Sequence, residues 1–153
     1  MRLAWVYDHH NAQTEWQRRD LSEWLTDVFE APGIRLRPGI TQEIRSHVRE
    51  EFEKEGWAIS VKIDPDYDLS IFAWRDDLAV QLQTGNMSRA PYDLLKLQHL
   101  HNTNRIEAAA LALPTKFGAA NLGSNIAHAD RVSSELKLFR HIITVPILLV
   151  AFE

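Results

Sequence analysis

The sequence contains no cysteine among its 153 residues. Neither a disulfide framework nor a thiolate zinc site is therefore possible. Long hydrophobic runs are also missing, since the longest, 145–152, contains a proline and has only the length of a strand. The first ten residues lack the uninterrupted apolar stretch of a secretory signal. We therefore expect a cytoplasmic protein without a membrane partner, and the length predicts one domain over residues 1–153.

An excess of positive charge is missing as well. The net charge is −4, which argues against a nonspecific nucleic-acid binder. Residues 1–83 carry ten Lys and Arg against sixteen Asp and Glu, whereas residues 84–153 carry seven against five. If the chain has a DNA-binding surface, we expect it in the C-terminal half. The acidic half could hold a metal site, although acidic side chains on solvated helix faces are the commoner explanation.

Hydrophobic periodicity predicts the order α-α-β-β-β-α-β-α-β. The predicted helices cover 14–30, 41–56, 92–104 and a segment capped by Ser124 or Asn125 that runs to Phe139, and the predicted strands cover 57–63, 69–74, 78–83, 106–113 and 142–152. An antiparallel hairpin that leads into β-α-β-α-β indicates an α/β fold with a mixed central sheet and helices on both faces.

Two glutamines stand two positions apart on the second strand of the predicted hairpin. Gln81 and Gln83 alternate with Val80 and Leu82, so both amides should lie on one face of the strand and the apolar pair on the other. Amides that face inward on a central strand need hydrogen-bond partners. The pair therefore indicates a polar site, and an edge strand with a solvated face is the open alternative.

Several segments, taken in order, resemble the BglII/BamHI-type restriction endonucleases of the PD-(D/E)xK nuclease superfamily. They are an acidic residue, Asp68, that opens one hairpin strand, "VQLQTGN" followed by "YDLLKLQ", an N-terminal "YDHHNA", and the later "LALPTK", "LGSNIAHADRVSSEL" and "TVPILLVAFE". The resemblance covers residues 5–153. No single motif is specific, and the ordered combination carries the likeness.

The resemblance implies a dimeric, Mg²⁺-dependent enzyme that hydrolyses phosphodiester bonds within a short palindromic site of double-stranded DNA. Magnesium held by carboxylates lowers the pKa of a bound water and polarises the phosphate oxygens. By the same resemblance, Asp68 is the bridging metal ligand and Gln81 occupies the position of the second acidic ligand. Gln83 matches the residue that helps to place the attacking water. A glutamate from the second helix is expected to approach the same site.

Gln81 departs from the family pattern, because a neutral amide binds a hard dication less well than a carboxylate does. Three explanations are open. The glutamine could be a deliberate replacement of glutamate, or the chain could be a natural protein that binds DNA without cutting it. A carboxylate from Asp66, Asp76 or Asp77 could instead restore the missing charge. We favour the first two explanations, and both leave the resemblance intact.

Two exposed polar sets are predicted to read DNA, since base recognition needs paired donors and acceptors at base edges. The predicted DNA-binding residues are Asn86, Ser88 and Arg89 before the third helix, Ser124, Asn125 and Arg131 around the start of the last helix, and Lys116 as a phosphate contact. Asn125 could equally be an ordinary N-cap, and Arg131 could lie on a solvated helix face.

Three functions follow, in order of preference. The first is a type II endonuclease that acts as a homodimer, with helices 14–30 and 92–104 as candidate interface elements, because a palindromic site calls for a two-fold protein. The second is a non-catalytic DNA-binding protein on the same fold. The third is an interaction protein with no nucleic-acid role.

Overall fold

The computed structural model describes all residues, Met1–Glu153. In chain order the elements are β1 (Leu3–His9), α1 (Ala12–Arg18), α2 (Ser22–Asp27), α3 (Thr41–Lys54), β2 (Ala58–Lys62), β3 (Ser70–Arg75), β4 (Leu78–Leu82), a 3₁₀ turn (Met87–Arg89), α4 (Ala90–Asn102), β5 (Ala108–Pro114), α5 (Lys116–Leu122), α6 (Ala129–Leu138) and β6 (Ile147–Phe152). None of the helices has the length and apolar composition that crossing a membrane requires.

The six strands form one mixed sheet in the order β1-β6-β5-β4-β3-β2. Strands β4, β5 and β6 are parallel to one another, β1 is antiparallel to β6, and β2, β3 and β4 form an antiparallel meander. The parallel strands end together at Leu82, Pro114 and Phe152, which we call the carboxyl edge of the sheet. They begin together at the opposite, amino edge. The predicted mixed sheet with an antiparallel hairpin is confirmed.

Each face of the sheet is covered by its own hydrophobic core, because successive side chains of a strand point to opposite faces. On β5, Ala108, Ala110 and Ala112 belong to the core that packs with α1, α2 and α3. Ala109 and Leu111 belong to the other core, which packs with α4 and α6. Helices on both faces are therefore confirmed. Strand β5 is buried along its whole length, as a parallel central strand should be.

Some predicted boundaries are wrong. Strand β1 was not predicted, since most of its residues are only partly buried and it gains its ladder from β6. The predicted helix 14–30 is two helices, broken where Asp20 adopts a left-handed φ of 58°. No element was predicted between the strand 106–113 and the last helix, but this stretch contains α5, whose first turn is capped by Thr115. The last strand is shorter than predicted and begins only after Pro146.

The last helix begins later than the sequence predicts. Its N-cap is His128, whose Nδ1 accepts a hydrogen bond from the backbone N–H of Arg131 at 3.2 Å. The prediction that Ser124 or Asn125 caps this helix is therefore wrong. Asn125 instead adopts a left-handed φ of 55°, a conformation that asparagine tolerates better than most residues.

Candidate functional site

Gln81 lies where β3 and β4 separate. The paired register of the two strands runs from Arg75 opposite Leu78 to Ala73 opposite Val80 and then stops. The next backbone donor of β3, the N–H of Phe72, donates instead to the side-chain Oε1 of Gln81 at 2.9 Å. The glutamine amide therefore takes the place of a ladder carbonyl, and its oxygen is held by the sheet.

Both glutamine amides converge on one carboxylate. The Nε2 of Gln81 donates to Oδ1 of Asp93 at 2.8 Å, and the Nε2 of Gln83 donates to Oδ2 of the same residue. The Oε1 of Gln83 accepts from the backbone N–H of Gly85 at 2.7 Å. Because each amide oxygen faces a backbone donor, each NH₂ group must face Asp93. The two amides therefore share one face and one partner, and the predicted alternative of a solvated edge strand is wrong.

Asp93 is the centre of this network and was not singled out from the sequence. It lies in the first turn of α4 and is only 3% exposed. The Nζ of Lys96 lies 2.8 Å from its Oδ1 and also donates to the carbonyl oxygen of Ser70 at 3.0 Å. One ammonium and two amides thus satisfy the buried carboxylate, as a charge removed from water requires. The i,i+3 spacing of Asp93 and Lys96 was the signal available in the sequence.

Asp68 lies apart from the amides. Its side chain is fully exposed, and its nearest charged partner is the Nζ of Lys62 at 3.6 Å. Strand β3 begins only at Ser70, so Asp68 belongs to the loop that precedes it. The strand residue opposite Gln81 is the aromatic Phe72. The structure therefore brings Gln81 and Gln83 together with Asp93 but does not add Asp68 to them.

The other carboxylates that could replace a missing ligand also lie elsewhere. Asp77 accepts from the Nε of Arg19 at 2.9 Å, and this hydrogen bond is the main reason that the pKa of the Asp77 carboxyl lies below its ordinary value. Asp76 lies beside Arg75 in the hairpin turn, and Asp66 is exposed in the loop before β3. The second predicted helix corresponds to α3, and it does not bring the expected glutamate to the amides. The side chain that α3 directs to the end of β4 is Arg45.

The side chains present do not fit a divalent metal ion in this arrangement. Magnesium requires oxygen ligands in near-octahedral geometry, preferably including one or two carboxylates. Here the single carboxylate has both oxygens bound by N–H donors, and both amide oxygens are occupied by backbone donors. No group of three or more His, Cys, Asp or Glu residues in the chain is arranged to hold a metal.

The two segments predicted to read DNA are joined by their backbones. The N–H of Met87 donates to the carbonyl oxygen of Asn125 at 2.9 Å, and the N–H of Ala127 donates to that of Gly85 at 2.8 Å. An isolated β-bridge between Asn86 and Ile126 lies between these bonds. Five of the predicted side chains are exposed at or beside this bridge, namely Asn86, Ser88, Arg89, Ser124 and Asn125. One polar surface therefore includes the first predicted set together with Ser124 and Asn125 of the second.

Lys116 and Arg131 occupy different settings. Lys116 is exposed at the start of α5, and its backbone N–H donates to Oδ2 of Asp130 at 2.6 Å. Its ammonium group forms no ion pair within the chain. Arg131 points away along α6, where its Nε lies 2.6 Å from Oε1 of Glu135. The ammonium of Lys116 is thus available to a ligand, whereas the guanidinium of Arg131 is already paired.

Comparison with known proteins gives one family and one fold. The family model "Restriction endonuclease BglII/BglIII" matches residues 4–152. The crystal structure of restriction endonuclease BglII complexed with a DNA 16-mer gives a TM-score of 0.82 at 14% identity, over 100% of this chain and 78% of that one. The crystal structure of free BglII gives 0.73 at 14% identity, over 100% and 80%. No curated protein matches the chain significantly.

Proposed function

We infer that this protein, which belongs to the BglII/BglIII family of restriction endonucleases, binds a short palindromic site in double-stranded DNA as a homodimer. We also propose that Gln81 suppresses the magnesium-dependent hydrolysis that the resemblance implies. One observation supports this second part above all others. Both carboxylate oxygens of Asp93 are occupied by the amides of Gln81 and Gln83 and by the ammonium of Lys96.

The chemistry of phosphodiester hydrolysis explains why this network opposes catalysis. A metal that activates water and neutralises the phosphate needs anionic ligands with free lone pairs. The network supplies one negative charge and one positive charge, so it has no net attraction for a dication. A glutamine at position 81 also stabilises the network without a metal, since it accepts from Phe72 and donates to Asp93 at once.

The exposed surface around Asn86 and Asn125 supports DNA binding. Its amides and hydroxyls offer both donors and acceptors, and the guanidinium of Arg89 can donate twice to a guanine edge or to a phosphate. Lys116 is proposed as a phosphate contact. Arg131 is a weaker candidate, because DNA would have to displace Glu135 from its guanidinium. Asp68 is proposed to act from the loop before β3 and not from the Asp93 network.

The experiment compares wild type with Gln81→Glu on supercoiled plasmid, with Mg²⁺ or with a chelator, and measures nicking and gel retardation in parallel. We expect wild type to retard DNA without nicking it. The Gln81→Glu variant should nick the plasmid in the presence of Mg²⁺ but not in the presence of the chelator. The reason is that the carboxylates of residues 81 and 93 would then face each other across the distance now spanned by a hydrogen bond of 2.8 Å. Such a pair attracts a cation.

The matched control is Gln81→Leu, which removes the amide without adding a charge and should not nick. Circular dichroism of each variant shows whether it is folded. Wild type that nicks as fast as Gln81→Glu would contradict the suppression and make the chain an endonuclease as it stands. Wild type that binds no duplex at low salt would contradict the DNA-binding function itself.

The homodimer is proposed to form through α4. Tyr92 and Leu95 on this helix are 50% and 56% exposed, and Tyr67 of the adjacent loop is 63% exposed. The apolar stripe of the other predicted interface element is not available, since Trp16, Leu25 and Phe29 are fully enclosed in the core. An exposed apolar surface of this kind is typical of a protein interface. A two-fold partner is what a palindromic site requires.

Substitution Leu95→Glu tests this interface. We expect the molar mass measured by light scattering to fall from that of a dimer to that of a monomer, because a charge would be buried at the contact. Leu138→Glu is the comparison, since Leu138 is 74% exposed beside the exposed Phe139 and Ile142 at the end of a different helix. A monomer produced by this variant and not by Leu95→Glu would move the interface away from α4. A wild-type protein that is monomeric both alone and on its DNA site would overturn the homodimer.

A further inference from the structure

The acidic half of the chain contains a basic segment. Residues 35–49 include four arginines, Arg35, Arg37, Arg45 and Arg49, against the single carboxylate of Glu43. None of the four arginines forms an ion pair with a carboxylate of the chain. By contrast, Arg18, Arg19 and Arg75 of the same half are all paired. The net charge of the half therefore conceals a local positive surface.

Arg45 has the most unusual setting of the four. It is half-buried, and its Nη1 donates to the carbonyl oxygen of Leu82 at 3.2 Å. Its guanidinium carbon lies 5.6 Å from the ring centroid of Phe72, within the range of a cation–π contact. No other hydrogen bond holds its remaining donors within the chain. Most of the guanidinium donors are therefore oriented but not satisfied.

The position of Arg45 connects it to the Asp93 network. Leu82, whose carbonyl it binds, stands between Gln81 and Gln83, and Phe72 offers its ring to Arg45 and its N–H to Gln81. Because Asp93 and Lys96 neutralise each other, the guanidinium is the uncompensated charge at this end of β4. Burial lowers the pKa of the Arg45 guanidinium and the nearby Arg49 lowers it further, while Asp93 opposes both.

A half-buried guanidinium that no carboxylate neutralises favours an anionic ligand, because it has lost part of its hydration without gaining a counter-charge. The planar fork of a guanidinium matches the two oxygens of a phosphate, and hydrogen bonds between charged groups are the stronger kind. We propose that Arg45 is a phosphate-binding residue that holds a backbone phosphodiester of DNA at the carboxyl end of β4, with Arg49 one helical turn away as its support. This inference rests on the proposed DNA-binding function and adds a contact that the N-terminal half provides.

The test measures the binding of a fluorescently labelled random-sequence duplex by anisotropy, over a series of salt concentrations. Arg45→Gln should weaken binding about tenfold, or about 1.4 kcal/mol. The plot of log affinity against log salt should also become less steep, with its negative slope reduced in magnitude by about 0.9, the value for one lost phosphate contact. Arg45→Lys should keep the slope but lose part of the affinity, because it keeps the charge and not the fork.

The control is Arg18→Gln, an exposed arginine paired with Glu15 on α1, which should change neither affinity nor slope. Equal affinity and slope for Arg45→Gln and wild type would overturn the proposal. If wild type binds no duplex, the proposed function fails. The anion site at Arg45 is then tested separately, by measuring the thermal stabilisation of each protein by pyrophosphate. A thermal stabilisation by pyrophosphate that Arg45→Gln abolishes would support an anion site there, and an equal stabilisation of both proteins would overturn it.

Discussion

The cationic side chains at the two edges of the sheet differ in whether a carboxylate of the chain pairs with them. At the amino edge, Arg19 contacts both Asp77 and Glu15, and Arg75 contacts Glu55, so both arginines around the β3-β4 turn have a carboxylate of the chain. At the carboxyl edge, Arg2 contacts Glu153, whereas Arg45 and Lys116 have no carboxylate partner. Ligands of open α/β sheets characteristically bind beyond the carboxyl ends of the strands. The comparison teaches that the arginines around the β3-β4 turn are held by carboxylates of the chain, while Arg45 and Lys116 at the other end remain available to a ligand.

Asp93, near the carboxyl edge, is buried and fully paired, and its replacement should have the largest effect on stability. Asp93→Asn leaves Lys96 without its counter-charge and turns an NH₂ group toward the NH₂ group of either Gln81 or Gln83. We expect a loss of about 3–5 kcal/mol in the free energy of unfolding, measured with urea.

The double variant Asp93→Asn with Lys96→Met removes the stranded charge and should recover part of this loss. A single variant as stable as wild type would show that the network contributes little. It would also remove the contrast between this buried cluster and the available charges around it.

The ion pair between Arg19 and Asp77 should have a smaller effect, because the Asp77 side chain is 40% exposed and therefore screened. We expect Asp77→Asn to lower the free energy of unfolding by about 1 kcal/mol at neutral pH. The folded pKa of Asp77 is depressed, so this stability is present above the unfolded pKa of about 3.9 and is lost as the pH falls through the folded pKa.

Urea titrations of wild type and Asp77→Asn at neutral and acidic pH test this prediction. The difference between the two proteins should persist at mildly acidic pH and vanish only below the ordinary carboxyl range. DNA affinity should be unchanged at neutral pH. A loss of DNA binding in this variant would mean that the amino edge also contacts the ligand, against the comparison drawn above.

Lys116→Gln should have the smallest effect. One flexible ammonium contributes little beyond its charge, so we expect a threefold or smaller loss of affinity, spread evenly over all DNA sequences. The slope of log affinity against log salt should fall by about 1, measured by anisotropy as for Arg45. A change of sequence preference would instead place Lys116 at a base edge.

The local pattern of the sequence predicted the hairpin and the orientation of its side chains. A period of two suffices to place Gln81 and Gln83 on one face of β4, opposite Val80 and Leu82. The same kind of pattern predicted the buried strand β5 and the helices on both faces. These features depend on neighbours in the chain, which a single sequence displays directly.

The partners of the glutamines could not be predicted in this way. Asp93 reaches them only because α4 crosses behind β4, and the segment 125–127 joins Asn86 only through tertiary contact. The expected position of Asp68 beside the glutamines is not seen for the converse reason. Asp68 is close to the start of β3 in the sequence, but its side chain lies in the exposed loop outside the strand. Strand β1 was missed because its ladder comes from β6, at the other end of the chain.

The bridge between Asn86 and Ile126 has a consequence for how such a protein could change its target sequence. The two polar segments are not independent arms, because each supplies backbone donors and acceptors to the other. A substitution at one segment that alters the course of the main chain will move the side chains of the other. New preferences should therefore arise through paired changes on both sides of the bridge, and single exchanges there should more often abolish recognition than redirect it.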